Sequence, residues 1–406
     1  MVAEENAVVV RHRIIGAAVC ALAVLGGGVA RLTDGGSGAD RPDQGVVAEQ
    51  GRPPSATTTT APATTTTRST KASADRRMQL LRTIRGRITP KSVVASGHGL
   101  VFAQNMMYSH SITAYDESGA LLKTIPDTVD LASFGVAGKA HASYRGAPVE
   151  AAFTADGRHA YASNYSMYGP GFGPEGNDGC LVSDHTDESF LYRVDTKTLA
   201  VDQVIQVGPV PKYVALTPDG RYALVSNWCS DDVSVVDVAT KREVRRVPIG
   251  RHPRGIAIDQ ASKVAYVAVM GGTDIVRIDL STWQTSKFLN VGQGPRHLVL
   301  SPDDRWLYVT TNKDGHVSKL DAGTGVAVGR ASTGTFPRSL AMAADGGSLY
   351  VVNYGSDTVS KVRTDTMAVI QTLPTGHHPI GVTYDPATGR IWVANYSGSI
   401  FVFDDT

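Results

Sequence analysis

The sequence predicts an all-β protein, a seven-bladed β-propeller of four-stranded antiparallel blades, with its ring closed by an N-terminal strand at about 78–86 that completes the last blade. Three observations carry this reading. Gly208, Gly250, Gly292, Gly334 and Gly376 stand 42 residues apart and open the same phrase, and so regular a period marks stacked copies of one supersecondary unit. Inside the unit, apolar and β-branched residues fall in short runs punctuated by Gly, Pro, Asp and Ser. No stretch carries a 3.6-residue apolar stripe, so strands fit and helices do not. The last copy stops after three runs, at SIFVFDD (399–405), and MQLLRTIRG (78–86) reads as the missing fourth.

The elements follow in order along the unit. The copy at Gly208 places strands near 211–217, 221–226, 233–237 and 243–249. The first is nearly continuous apolar sequence after an opening base, as in Lys212 to Leu216 and Arg296 to Leu300, which fits a strand covered on both faces. Ala215, Ala257 and Ala341 keep it slim where blades converge. The second strand often begins with an aromatic, and the third ends near Asp. One such sheet cannot bury two apolar faces alone, whereas packing blade on blade around an axis covers both. Two less regular copies, from Gly86 and Gly146, raise the total to seven. Their longer intervals predict insertions at about 118–145 and 165–189.

The second strands read YVTTN (308–312), YVVN (350–353), WVAN (392–395) and YASN (161–164). With SPDD at 301–304, TPDG at 217–220 and SDTVSKV at 356–362, the stretch from about 86 to 406 resembles the YVTN-repeat, YncE-like family of bacterial seven-bladed propellers. The resemblance implies the same ring and an exported protein, and nucleic-acid binding has been proposed for some members. These motifs belong to the fold and leave function open.

The N-terminal region differs in kind. In residues 1–32, Arg11 and Arg13 precede the apolar stretch Ile14 to Ala30, which reads as a signal peptide or an N-terminal membrane anchor. Residues 33–77 are rich in Thr, Pro, Ser and Gly. They hold too little apolar surface to offset ordering, so a disordered linker is expected ahead of a propeller at 78–406. Either reading puts the propeller outside the cytoplasm, at the cell membrane or secreted. Cys20 lies in the apolar stretch. Cys180 and Cys229 both fall in loops between second and third strands of adjacent blades, so a Cys180–Cys229 disulfide is expected in an oxidising compartment.

The face carrying the interblade turns and the second-to-third-strand turns is where a ligand is expected. After the turn proline a base recurs: Lys91, Lys212, Arg254, Arg296 and Arg338, with Val149 and Ile380 in the other two blades. Such a partial ring concentrates positive potential even on a chain of formal net charge +1, a balance that argues against a surface built wholly for nucleic acid. Asp219, Asp303 and Asp345 are the candidate acids that would instead neutralise it. His252, His297, His377 and His378 gather in the same turns, and Trp228, Tyr354 and Tyr396 follow the second strands. Asp178, Asp184, His185, Asp187 and Glu188 in the second insertion lack a calcium-loop spacing. No nucleophile elbow, phosphate loop or zinc-ligand set occurs, so no catalytic residue, cofactor or metal is expected.

The expectation is a monomeric binding or scaffold module. Its ligand-binding residues are Lys91, Lys212, Arg254, Arg296, His297, Arg338, Trp228, Tyr354 and Tyr396. Its partner is an anionic envelope glycan, an exported protein or nucleic acid. The alternative is a propeller enzyme, a lyase or oxidoreductase subunit, using His and Arg at the central mouth. It requires His297, His377 or His378 to meet a second polar group in a deep central pocket.

Overall fold

The computed structural model describes residues 71–406. The expectations placed on the signal or anchor segment, on Cys20 and on most of the linker lie outside the described residues. The described chain forms seven antiparallel sheets. Blade 3 is representative, with strands Pro211–Leu216, Tyr222–Asn227, Asp232–Asp237 and Arg242–Pro248, each within about a residue of the sequence reading. Among the described residues there is no α-helix, only short 3-10 turns, and no helix long and apolar enough to cross a membrane.

Apolar side chains sort into interfaces between neighbouring sheets. One cluster joins Leu224 and Val235 of blade 3 to Ile256 and Val267 of blade 4. Another joins Val93 and Val101 of blade 1 to Trp392 and Ile400 of blade 7. That second interface exists only if the ends of the chain meet, and its hydrogen-bonded counterpart is Met78–Arg85, which pairs antiparallel with Ser399–Asp405. The seven-bladed ring is therefore closed as the truncated last copy predicts.

A buried charge cluster reinforces the closure. Lys361 Nζ, fully buried, lies 2.5 Å from Asp405 Oδ1 and donates to the Arg76 carbonyl at 2.9 Å. Tyr350 Oη donates to the other Asp405 oxygen at 2.6 Å, and Arg76 Nε stands 3.6 Å from it. Packed chain begins ahead of Met78: Ser73 donates from its backbone N–H and hydroxyl to Asp345 at 2.7 and 2.6 Å.

The repeated glycine has a steric cause. A Cβ on Gly334 would sit 2.8 Å from Asn353 Cγ, and one on Gly208 2.5 Å from Asn227 Cγ. Each Asn, in turn, donates to the third strand, Asn353 to Thr358 and Ser360 and Asn227 to Asp232 and Ser234. Glycine and asparagine thus lock the turns of the loop-rich face, and the repeated Asn does structural work.

The first insertion differs in detail from expectation, and the second carries the expected disulfide. Leu121–Pro126, read as part of the first, is the outer strand of blade 1, so the insertion proper is 127–143. It adds a short fifth strand, Thr128–Val129, to blade 2. The second, following His159–Tyr168, is held by the Cys180–Cys229 disulfide, with Cα atoms 5.5 Å apart.

Candidate ligand site

Five bases reach the mouth because of a recurring backbone irregularity. In every blade the pairing between first and second strands slips just after the turn proline: between Pro211 and Tyr213, Pro253 and Ile256, Pro295 and Leu298, Pro337 and Leu340. The remaining three blades slip at Pro90, Pro148 and Pro379. A bulge takes a residue out of the ladder and re-aims its side chain. Inner-strand side chains otherwise face neighbouring blades. The bulge brings Lys91, Lys212, Arg254, Arg296 and Arg338 together on one lining with Val149 and Ile380.

Their acids are not the expected ones. Asp219, Asp303 and Asp345 accept from the hydroxyls of Thr217, Ser301 and Ser73. The second insertion supplies a carboxylate instead: Asp178 Oδ1 lies 2.5 Å from Lys212 Nζ, whose side chain is 1% exposed. Three of the other four bases rest on the predicted aromatics. Lys91 Nζ donates to Tyr396 Oη at 2.7 Å, Arg338 lies 4.2 Å from the Tyr354 ring centroid, and Arg254 lies 5.7 Å from that of Trp228. Arg296 Nη1 contacts Met270 Sδ at 3.5 Å. Trp228 is buried, stacked on His252 at 4.1 Å and donating Nε1–H to the Asp178 carbonyl, so it braces the cations and offers no open face.

Three of the four histidines are accounted for by the turns. The residue before the proline takes left-handed backbone at Val210, His252, Phe336 and His378, with φ between 52° and 59°. Its carbonyl accepts the N–H that follows the second-strand Asn, as Tyr396 N–H to His378 O at 3.0 Å. Histidine tolerates this conformation better than most residues. His378 stacks on Tyr354 at 4.1 Å, and His377 Nδ1 pairs with Asp357 Oδ2 at 2.8 Å. Asp357, His377 and His378 bring three ligand atoms within 4.8 Å of one another on the rim, a metal-capable grouping the sequence reading did not assemble. In the second insertion Asp184 and Asp187 accept backbone N–H groups of Leu181 and Gly173, and Glu188 pairs with Arg246 at 2.5 Å.

His297 lies deeper, one residue past its base, in a polar layer the sequence reading missed. This layer is Glu150, Tyr213, His297 and Ser339, one from each of four blades. His297 Nδ1 accepts the Leu340 N–H at 3.1 Å and lies 2.5 Å from Ser339 Oγ. That fixes the proton on Nε2, which donates to Tyr213 Oη at 2.8 Å. Burial, then Arg296 and Arg254, push this imidazole down to about 3, so it is neutral and a poor base at pH 7. Burial pushes the Glu150 carboxyl up to about 7 against the opposing pull of Ser92, the Ala151 N–H, Arg254 and Lys91. Glu150 retains some solvent exposure, all consistent with its place on a channel wall.

Below this layer the channel opens into a cavity of about 260 Å³ walled by Val93, Val299, Leu340 and Val382. The gap among the cations is about 20 Å³, room for roughly one water.

The fold and the mouth define the class: a seven-bladed β-propeller with a cationic central mouth. No family model matches the chain, and no curated protein matches it. Among solved structures the chain is similar to Kuenenia stuttgartiensis hydrazine synthase, with a TM-score of 0.60 and 18% sequence identity over 79% of this chain and 96% of that one. At that identity the likeness shows the propeller fold alone.

Proposed function

We propose that the protein is an exported binding module that takes an anionic group at its loop-rich mouth, on an envelope glycan, an exported protein or a nucleic acid. One observation carries this reading: the same bulge in five blades aims five bases at one axis. Arg suits bidentate contact with carboxylate, sulfate or phosphate, and a low-dielectric mouth strengthens the field. The Cys180–Cys229 disulfide supports an oxidising, extracytoplasmic setting. The enzyme alternative finds its second polar groups at His297, but an imidazole held near 3 gives little support to proton abstraction at neutral pH.

The test is a salt titration of binding to heparin, polyglutamate and a single-stranded oligonucleotide. Affinity for the true class should fall steeply with salt, and Arg296→Gln with Arg338→Gln should lower the slope by about 1 per base removed. A flat response to salt defeats the cation-ring reading.

A further inference from the structure

We propose that the central channel itself binds a small aliphatic amino acid as its zwitterion, with the carboxylate against the cation layer, the ammonium on Glu150 and the side chain in the cavity below. This rests on the cation ring of the preceding reading but assigns it a different, enclosed ligand.

Three zones follow one another along the channel in the order such a molecule requires. The upper zone is the lining of Lys91, Arg254, Arg296 and Arg338. The middle zone holds one carboxylate, Glu150, beside hydroxyl groups of Tyr213 and Ser339. The lower zone is mainly aliphatic, with Val93, Val299, Leu340 and Val382 beside Thr383 and Tyr384, and with the Glu150 layer above it bounds a volume of about 260 Å³, the scale of one small ligand.

The middle zone is where the ligand's second charge is read. Glu150 faces Lys91 and Ser92 from blade 1, Tyr213 from blade 3 and Arg254 from blade 4, yet its carboxyl remains hard to ionise. Glu150 Oε1 accepts the Ala151 N–H at a long 3.3 Å, and a ligand ammonium would add a charged donor on this channel-lining carboxylate. His297 does not compete for that role. It is neutral, and its Nε2–H is spent on Tyr213 Oη, which leaves the Tyr213 proton for another acceptor. Because the gap among the cations passes about one water, the carboxylate meets the cations from the cavity side.

The experiment is calorimetry and thermal shift on the purified full chain with glycine, L-leucine, 4-methylpentanoate and isopentylamine. L-leucine should bind best, and loss of either charge should weaken binding roughly tenfold, the scale of one charge-assisted hydrogen bond. Glu150→Gln should weaken L-leucine by a similar factor and leave 4-methylpentanoate no weaker. Equal affinity for L-leucine and 4-methylpentanoate on the unaltered chain, or indifference of L-leucine to Glu150→Gln, overturns the proposal. So does absence of binding by all four compounds. If salt-sensitive heparin binding persists in that case, the rim reading stands without the channel ligand. If it is absent too, both fall.

Discussion

Replacing Glu150 by Gln tests the channel chemistry through stability alone, with no ligand present. The carboxyl moves from an ordinary 4.5 to about 7 in the folded protein. Each pKa unit corresponds to about 1.4 kcal/mol, so the rise is worth somewhat over 3 kcal/mol before screening by channel water, and about 3 kcal/mol is a fair working figure. The sign follows from which state holds the proton more tightly. The folded-state value is the higher one, so this group's contribution is intact below about pH 4.5 and is lost as pH rises through about 7. Gln cannot ionise, so the variant should gain on the parent by about 3 kcal/mol between pH 4 and pH 8. With an unfolding entropy of about 2.1 cal/mol/K per residue over a propeller of about 330 residues, that is a Tm difference growing by about 4 °C. Differential scanning calorimetry of both proteins across that range reads it directly. A Tm difference that stays flat with pH refutes the reasoning. One that runs the other way means Lys91 and Arg254 stabilise the anion more than burial opposes it.

Other perturbations address the scaffold. Lys361→Met strands the Asp405 carboxylate in a fully buried site and should cost about 3–5 kcal/mol by urea unfolding, with part recovered in a Lys361→Met/Asp405→Leu double variant. Reducing the Cys180–Cys229 bond, which closes a 49-residue separation, should cost up to about 4 kcal/mol and expose two additional thiols to alkylation. Gly334→Ala forces a Cβ to within 2.8 Å of Asn353 Cγ, and a Tm loss matching about 1–3 kcal/mol is expected.

The ring was legible because its determinants repeat. Gly208, Gly334 and Gly376 pack on the second-strand asparagine, and Gly250 and Gly292 take positive φ of 126° and 141°, so each copy demands glycine for one reason or the other and the constraint prints a period into the chain. Closure was legible from a deficit, three strands in the last copy, which Met78–Arg85 repairs. The charge cluster that secures it was not legible, because the Tyr350–Lys361 cross-strand pair also occurs as Tyr308–Lys319, and nothing in that pair marks which copy meets Arg76 and Asp405 when the ends join. The outer strand Leu121–Pro126 was hidden for a simpler reason. It faces solvent on most positions, with Leu121 and Leu122 half exposed, and so lacks the buried pattern that marks the inner strands.

The site divides along the same line, and the division says where to look in any propeller. The five bases recur at one position of the unit, so alignment of the copies finds them. Their usefulness at the mouth depends on a bulge that pairing arguments on an ideal strand would deny. The next position reads Ser92, Glu150, Tyr213, Gly255, His297, Ser339 and Gly381 around the ring. Ser and Gly each appear twice and the other three residues once, so no single type dominates and repetition as a signal passes over the position. Yet identical blades can make only a rotationally symmetric channel, which tells the two ends of a ligand apart along its axis but not the groups disposed around that axis. Recognition of an asymmetric molecule must come from the inward position where the copies disagree. Glu150 is the sharpest disagreement, an acid beneath five bases, and it is the residue whose substitution most directly separates a mouth that merely attracts anions from a channel that reads a particular molecule.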